Sequence, residues 1–183
     1  MKRNRSLRKG NFRIMVEHID KLAANVVKLL WSKGKKAATA ESCTGGLVSA
    51  AITSVSGSSE VFEMGVCSYA NRIKQDVLGV STEALERYGA VSEQVAKEMA
   101  QGVMKRAGSD FGVSTTGIAG PTGGSEEKPV GTVWIGICSK SSCRGERFLF
   151  GTEGCPDGIT EREYIRRQAV CKALELLQNE IER

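Results

Sequence analysis

A glycine-rich stretch near the start of the chain, Thr39-Ala40-Glu41-Ser42-Cys43-Thr44-Gly45-Gly46, limits what this sequence can fold into. It follows a short apolar run and precedes residues 47–52, an apolar segment typical of the first turns of a helix. The pattern therefore predicts a strand, a tight turn and a helix in succession. Unpaired N–H groups and a partial positive charge at a helix N-terminus favour anions and developing oxyanions. We expect a ligand to be bound or attacked at this turn.

Helix and strand patterns alternate along the rest of the chain. Apolar residues at helical spacing predict helices over residues 14–32, 46–55, 82–88 and 93–107, one from within 69–74 to 79, and a last one after residue 160. Ser81, Ser92 and Thr160 are the predicted N-caps. Apolar runs predict strands over residues 36–41, 62–69, 111–116, 130–138 and 147–150, the last two as an antiparallel hairpin. This order predicts an α/β fold, a three-layer α/β/α sandwich with a mixed, mostly parallel sheet.

Composition and charge indicate one globular domain over residues 14–183, preceded by a basic tail. The chain has 183 residues, 40% of them hydrophobic and 26% charged, with a formal net charge of +5. Residues 1–13 hold six Lys or Arg and no acid, so we expect a disordered tail and a nearly neutral body. A neutral body disfavours a nucleic-acid partner. No apolar run approaches the ~20 residues that span a bilayer, and no signal peptide is evident, so we expect a cytoplasmic protein without a membrane partner.

The cysteines and the single histidine do not match a metal-binding motif. Cys138 and Cys143 have four residues between them, no C-x-x-C pair occurs, and His18 lies far upstream. We therefore expect no metal and no cofactor. A cytoplasmic location also disfavours disulfides. Cys67, Cys138 and Cys171 lie in apolar segments and are interpreted as small core residues, and His18 as a solvated or hydrogen-bonded helical histidine.

Three side chains of the first turn are candidate nucleophiles: Ser42, Cys43 and Thr44. A hydroxyl needs a base within hydrogen-bond reach, and His18 belongs to a different helix, so a Ser-His-Asp or Cys-His arrangement has little support. A lysine could be the base if burial or a nearby cation lowered its pKa by several units from ~10.4. Lys74 is best placed, with Tyr69 five residues before it. Taken alone, a tyrosine and a lysine at this spacing are more often a surface pair than a catalytic one.

A second glycine-rich stretch, Gly117-Ile118-Ala119-Gly120-Pro121, follows another predicted strand. Ligands of open α/β sheets collect at strand ends, so two such turns favour a pocket for a phosphate or a small anion. Neither stretch matches the Walker A or the G-x-G-x-x-G pattern, which disfavours a kinase or an NTPase.

These stretches, with three further motifs, resemble the CinA C-terminal domain family over roughly residues 15–180. The further motifs are Tyr69-x-Asn71-x-x-Lys74-x-x-x-Leu78-Gly79-Val80, Gly89-Ala90-Val91-Ser92 and Lys128-Pro129-Val130-Gly131-Thr132-Val133. Stand-alone members are nicotinamide-nucleotide amidases, which hydrolyse nicotinamide mononucleotide to nicotinic acid mononucleotide and ammonia in pyridine nucleotide recycling. Larger members carry an additional N-terminal domain associated with ADP-ribose pyrophosphatase activity.

The resemblance implies a serine nucleophile and a lysine general base: Ser42 attacks, Lys74 accepts its proton and Tyr69 assists. It also implies that N–H groups of Thr44, Gly45 and Gly46 hold the oxyanion, at ~3 kcal/mol for one such donor. The remaining residues expected to line the substrate are Asn71, Thr116, Gly117, Ala119 and Gly120. Arg162 and Arg166 are candidate phosphate partners. The chain departs from the family pattern in its basic tail and at Cys155-Pro156-Asp157.

Two other classes of function stay open. A nucleotide pyrophosphate hydrolase would need a divalent metal held by clustered carboxylates, for which Glu126-Glu127 is the one obvious cluster. A non-enzymatic nucleotide-binding or regulatory module is the other alternative. Assembly into a homo-oligomer is also left open.

Overall fold

Five strands of the described residues form one mixed sheet in the computed structural model of the protein, which describes the backbone of residues 2–183 and the side chains of residues 12–183. The strands are β1 (Ala37–Glu41), β2 (Phe62–Cys67), β3 (Phe111–Gly117), β4 (Thr132–Cys138) and β5 (Cys143–Leu149). The helices are α1 (Lys2–Ser32), α2 (Leu47–Thr53), α3 (Asn71–Leu78), α4 (Thr82–Tyr88), α5 (Glu93–Ala107) and α6 (Glu161–Glu182), with a 3-10 turn at Ser58–Glu60.

The strand order is β2-β1-β3-β4-β5. Strand β1 pairs in parallel with both β2 and β3, whereas β4 is antiparallel to both β3 and β5. The carboxyl ends of β1, β2 and β3 therefore meet at the same edge of the sheet, where open α/β folds place their ligands. The predicted three-layer fold with a mixed sheet is confirmed.

Helices cover both faces of this sheet. On one face α1, α2 and α6 enclose the larger core, which includes the fully buried Val26, Ile135 and Leu177. On the other face α3, α4 and α5 enclose a smaller core that includes Val95 and Met99. Burial of each such side chain stabilises the fold by about 1.5–3 kcal/mol relative to exposure.

Glycines let α5 lie directly on the backbone of the sheet. A Cβ at Gly112 in β3 would lie 2.1 Å from the carbonyl oxygen of Ala100, and one at Gly136 in β4 would lie 2.3 Å from that of Ala96. Ser114 adds a hydrogen bond of 2.5 Å from its hydroxyl to the Ala96 carbonyl. Larger side chains at these glycines would push α5 away from the sheet.

The predicted helix starts hold, and one strand is longer than predicted. Each of the N-cap hydroxyls of Ser81, Ser92 and Thr160 accepts a hydrogen bond from the N–H group three residues further along. Strand β5 begins at Cys143 instead of residue 147. The stretch from 144 to 146 lacks apolar alternation, but its pairing with β4 makes it a strand.

The expectation that no disulfide forms is wrong for one cysteine pair. The register of the β4–β5 hairpin places Cys138 opposite Cys143, and the two are joined by a disulfide. The expectation had relied on cellular location, whereas the hairpin register brings the two Cα atoms to 4.0 Å. The interpretation of Cys67 as a core residue is also wrong, because it is exposed at the end of the edge strand β2.

The helical backbone of α1 runs through the segment for which a disordered tail is predicted. Because Met1 and the side chains of residues 1–11 lie outside the described part of the chain, the disordered tail stays a prediction. Among the described residues, no helix has the length and apolar character that crossing a bilayer requires.

Candidate active site

The carboxylate of Glu41, the last residue of β1, occupies the N-terminus of α2. It is 1% exposed and accepts hydrogen bonds from the N–H groups of Gly46, Val48 and Ser49 at 2.9, 3.0 and 2.8 Å. The hydroxyls of Thr44 and Ser49 donate to it at 2.6 Å each. Five donors and the helix dipole thus stabilise one buried negative charge.

This arrangement corrects the predicted oxyanion cradle. The N–H group of Gly46 donates to Glu41, and that of Gly45 donates to the carbonyl of Ser42 at 3.1 Å. The N-terminus of α2 therefore already holds an anion, the side chain that precedes the turn. Contact of these glycines with a substrate stays a prediction, but they do not form the cradle through these N–H groups.

Ser42 and Lys74 meet at the carboxyl end of β1. Ser42 is half-buried and its N–H group donates to the Thr115 carbonyl at 2.9 Å, which fixes the turn against β3. Lys74, on the first turns of α3, is 1% exposed. Its Nζ lies 3.4 Å from Ser42 Oγ and donates to the Ser68 carbonyl at 2.7 Å. The structure therefore brings together the predicted nucleophile and the predicted base.

The surroundings favour an uncharged amine on Lys74. Burial lowers the pKa of Lys74, and the neighbouring Cys43 thiol opposes that shift only when it is ionised. Burial also raises the pKa of Cys43 to about 12, so this thiol is protonated at neutral pH and is a poor nucleophile. Of the three candidate nucleophiles, Ser42 is the one placed beside a base, since the hydroxyl of Thr44 is fully buried between Glu41 and Thr115.

Arg166 of α6 holds in place the turn that carries Ser42. Its Nε donates to the Cys43 carbonyl at 3.1 Å and its Nη2 to the Thr44 carbonyl at 2.6 Å. Gly45 leaves room for it, because a Cβ there would lie 3.0 Å from Nη2 and Gly45 has a φ of +60°. The sequence analysis considered Arg166 a phosphate partner and did not assign it this positioning role.

Tyr69 lies apart from the hydrogen bonds that join Ser42, Lys74 and Ser68 among the described residues. Its side chain is 68% exposed, and its hydroxyl accepts a hydrogen bond of 3.0 Å from Arg162 Nη2. The same guanidinium donates through Nη1 to the Gly120 carbonyl at 2.7 Å. Arg162 thus links the loop after β2 to the loop after β3.

The other predicted substrate-lining residues differ in exposure. Asn71 is exposed at the start of α3, and Gly117 is half-buried at the end of β3. Ala119 and Gly120 are buried. Thr116 is also buried, with its hydroxyl donating to the Ala90 carbonyl at 2.7 Å. The substrate contacts of this set stay predictions.

The fold and the site together define a three-layer α/β/α domain with a serine–lysine pair at the carboxyl ends of its parallel strands. The chain belongs to the CinA C-terminal domain family, whose sequence model matches residues 19–181. A competence-damage inducible protein of Thermoanaerobacter sp. (strain X514) is 47% identical over 152 residues, 83% of this chain and 35% of the relative. A CinA-like protein of Nostoc sp. is 46% identical over 165 residues, 88% of this chain and 39% of the relative. The chain therefore spans well under half the length of these relatives.

Solved structures share the whole fold. The competence/damage inducible protein CihA from Agrobacterium tumefaciens superposes with a TM-score of 0.83 at 40% identity, covering 91% of this chain and 96% of that one. The competence damage-inducible protein A from Klebsiella pneumoniae gives a TM-score of 0.82 at 32% identity, covering 90% of this chain and 97% of that one. These likenesses establish the family and the fold.

Proposed function

We propose that this protein hydrolyses the carboxamide of nicotinamide mononucleotide to nicotinic acid mononucleotide and ammonia, as an amidohydrolase of the serine–lysine type. The observation that carries the proposal is the distance of 3.4 Å between Ser42 Oγ and the amine of a lysine that is 1% exposed. Burial lowers the pKa of that lysine, which is what a general base needs near neutral pH. The family resemblance supplies the substrate.

In the first half-reaction the Ser42 oxygen attacks the carboxamide carbon while the Lys74 amine accepts the hydroxyl proton. The carbonyl becomes a tetrahedral oxyanion. When it collapses, the carbon–nitrogen bond breaks and the Lys74 ammonium gives its proton to the departing nitrogen, which leaves as ammonia. An ester between Ser42 and the nicotinoyl group remains.

In the second half-reaction water attacks the ester carbon and Lys74 accepts a proton from that water. The ester bond breaks, the proton passes from Lys74 to the Ser42 oxygen, and the carboxylic acid product releases its own proton to solvent and leaves as the carboxylate. Lys74 begins and ends the cycle uncharged. A cationic pyridinium ring beside it favours that state further.

Positive charge around the site suits an anionic nucleotide. Arg162 reaches the loops after β2 and β3, and Arg166 lies against the catalytic turn. Both come from the start of α6, and Arg166 contacts the two residues that follow Ser42. A phosphate with two negative charges is favoured there by guanidinium donors.

The test is ammonia release from nicotinamide mononucleotide, nicotinamide riboside, NAD and nicotinamide by wild type, Ser42→Ala and Lys74→Ala. Ser56→Ala, in an exposed loop after α2, is the matched control. We expect turnover of the mononucleotide by wild type and the control, and loss of about 10³-fold or more in the other two variants. Retained turnover in Ser42→Ala would contradict the assignment of Ser42 as the nucleophile. An acyl group trapped on Cys43 would assign that role to Cys43.

Product analysis and nucleotide-binding measurements on the same panel distinguish the amidase from the two alternative functions. Cleavage of a pyrophosphate bond in NAD without ammonia release would favour a pyrophosphate hydrolase. Saturable nucleotide binding with no product of either kind would favour a regulatory module. Either result would contradict the amidase.

A further inference from the structure

Three metal-ligating side chains converge between the first and last helices, away from the serine–lysine pair on β1 and α3. His18 belongs to α1, and Cys171 and Glu175 belong to α6. Their donor atoms all lie within 4.8 Å of one another. The Nε2 atom of His18 is 3.5 Å from Glu175 Oε1, and the sulfur of Cys171 is 3.6 Å from the same oxygen.

These separations match the edges of a tetrahedral zinc site. With bonds of about 2.3 Å to sulfur and about 2.0–2.2 Å to nitrogen or oxygen, tetrahedral angles place the donor atoms about 3.3–3.6 Å apart. The two separations that share Glu175 Oε1 meet this requirement without rearrangement. The third separation, between the His18 nitrogen and the Cys171 sulfur, is at most 4.8 Å, and the side chain of His18, 51% exposed, has room to move towards the sulfur.

The packing of α1 and α6 brings the candidate ligand atoms of His18, Cys171 and Glu175 close together. Cys171 and Glu175 are four residues apart on α6, so they lie on the same face of that helix. Lys172 contacts the other carboxylate oxygen, Oε2, and so leaves Oε1 on the side of His18 and Cys171. Helices α1 and α6 pack against each other, which holds the histidine over the pair.

We propose that His18, Cys171 and Glu175 bind a zinc ion, with water as the fourth ligand. The set of one imidazole, one thiolate and one carboxylate is the mixed donor set that zinc accepts. On binding, the cysteine thiol loses its proton to solvent and the sulfur bonds to the metal. This site differs from the expectation of no metal, which rested on the lack of a C-x-x-C pair and on the distance along the chain from His18 to the cysteines.

The ion fastens α1 to α6. An unfolded chain does not hold these three residues together, so binding stabilises the folded state. The role is structural, since the cluster shares no residue with the proposed catalytic machinery.

The test uses the full-length protein stripped of metal, titrated with Co²⁺ and then with Zn²⁺ in competition with a chromophoric chelator. We expect one Co²⁺ per chain, with a thiolate-to-cobalt charge-transfer band and the d–d bands of a tetrahedral ion. His18→Gln, Cys171→Ser and Glu175→Gln should each weaken Zn²⁺ binding about tenfold or more. Cys155→Ser changes a half-buried cysteine in the loop before α6. It should leave the affinity and both sets of bands unchanged.

A thermal melt gives an independent readout. Zn²⁺ should raise the Tm of wild type and of Cys155→Ser but not that of Cys171→Ser. Absence of the charge-transfer band in wild type, its persistence in Cys171→Ser, or equal Zn²⁺ affinity in all variants would overturn the site. Loss of ammonia release in Ser42→Ala would be unaffected by any of these results, so the two proposals fail separately.

Discussion

The amine of Lys74 reaches the hydroxyl of Ser42 from inside the protein, at 3.4 Å, with 1% of its surface exposed. Water does not compete for an amine in that position as it does for a surface lysine, and burial favours the uncharged form. A second hydrogen bond, to the Ser68 carbonyl, sets the direction of the amine. The pair therefore explains how a chain with one histidine could activate a serine.

The pH dependence of activity tests the base. Because the proposed mechanism requires the uncharged form of Lys74, we expect kcat/KM to rise with pH up to the pKa of this amine, which burial places below 10.5. In Lys74→Arg the side chain stays protonated, so activity on this limb should fall by about 10²–10⁴-fold. The measurement is kcat/KM against pH, with the exposed Lys105→Arg as control. A wild-type profile that falls with rising pH would rule out this role.

The buried Lys74 should make the free energy of unfolding of the protein depend on pH. The folded pKa is depressed, so between the folded and the unfolded values the unfolded chain binds more protons and the folded state loses stability as pH falls. Relative to Lys74→Met, the free energy of unfolding of wild type should fall by about 1.4 kcal/mol per pH unit across that interval. Urea titrations of both proteins from neutral to alkaline pH measure this difference. A constant difference would indicate an unshifted lysine.

Replacing Glu41 should destabilise the fold. In Glu41→Gln one carboxylate oxygen becomes an NH₂ group that faces donors, and the N-terminus of α2 loses its counter-charge. We expect a loss of about 3 kcal/mol in the free energy of unfolding. Glu63→Gln removes an exposed carboxylate that pairs with Lys36 and should cost under about 1 kcal/mol. Equal urea midpoints for the two variants would show that the buried carboxylate is dispensable.

Arg166 should act on the rate through the turn that it holds. A lysine in its place cannot donate to the Cys43 and Thr44 carbonyls together, so Arg166→Lys should lower kcat about 10–100-fold. Arg167→Lys, which alters an ion pair with Glu163, is the neighbouring control and should retain kcat. Steady-state kinetics that showed a change in KM alone for Arg166→Lys would point to phosphate binding instead.

A substitution of Tyr69 tests whether this residue contributes to substrate binding or to the chemical step. Its hydroxyl contacts Arg162, so we expect Tyr69→Phe to raise KM for the mononucleotide about 3–10-fold, the effect of one solvent-exposed hydrogen bond, and to leave kcat nearly unchanged. The kinetic constants should be compared with those of Tyr88→Phe, a partly exposed tyrosine of α4. A fall in kcat with constant KM would support the assisting role that the family resemblance implies.

Local patterns in the sequence were enough to predict the layers of the fold. The hydroxyls of Ser81, Ser92 and Thr160 begin their helices because an N-cap contacts an N–H group three residues away, within one segment. The turn at Ser42 could be predicted because its glycines and the apolar runs on either side of it also lie within one segment. The predicted end of α2 at residue 55 and the predicted start of β5 at residue 147 were both late by a few residues. For β5 the reason is that pairing with β4 overrides a weak local pattern.

The sequence by itself determined which segments are helices and strands, since apolar periodicity reports which face of a segment is buried. Tertiary structure decided which polar groups meet, because those partners lie far apart along the chain. Three contacts depend on how α6, α1 and α3 pack. They join Arg166 to the turn at Ser42, Cys171 to His18, and Lys74 to Ser42. The glycine-rich turn was expected to hold a ligand or an oxyanion, but the N–H groups of Gly46, Val48 and Ser49 donate to Glu41, whose carboxylate folds back onto the helix that follows it.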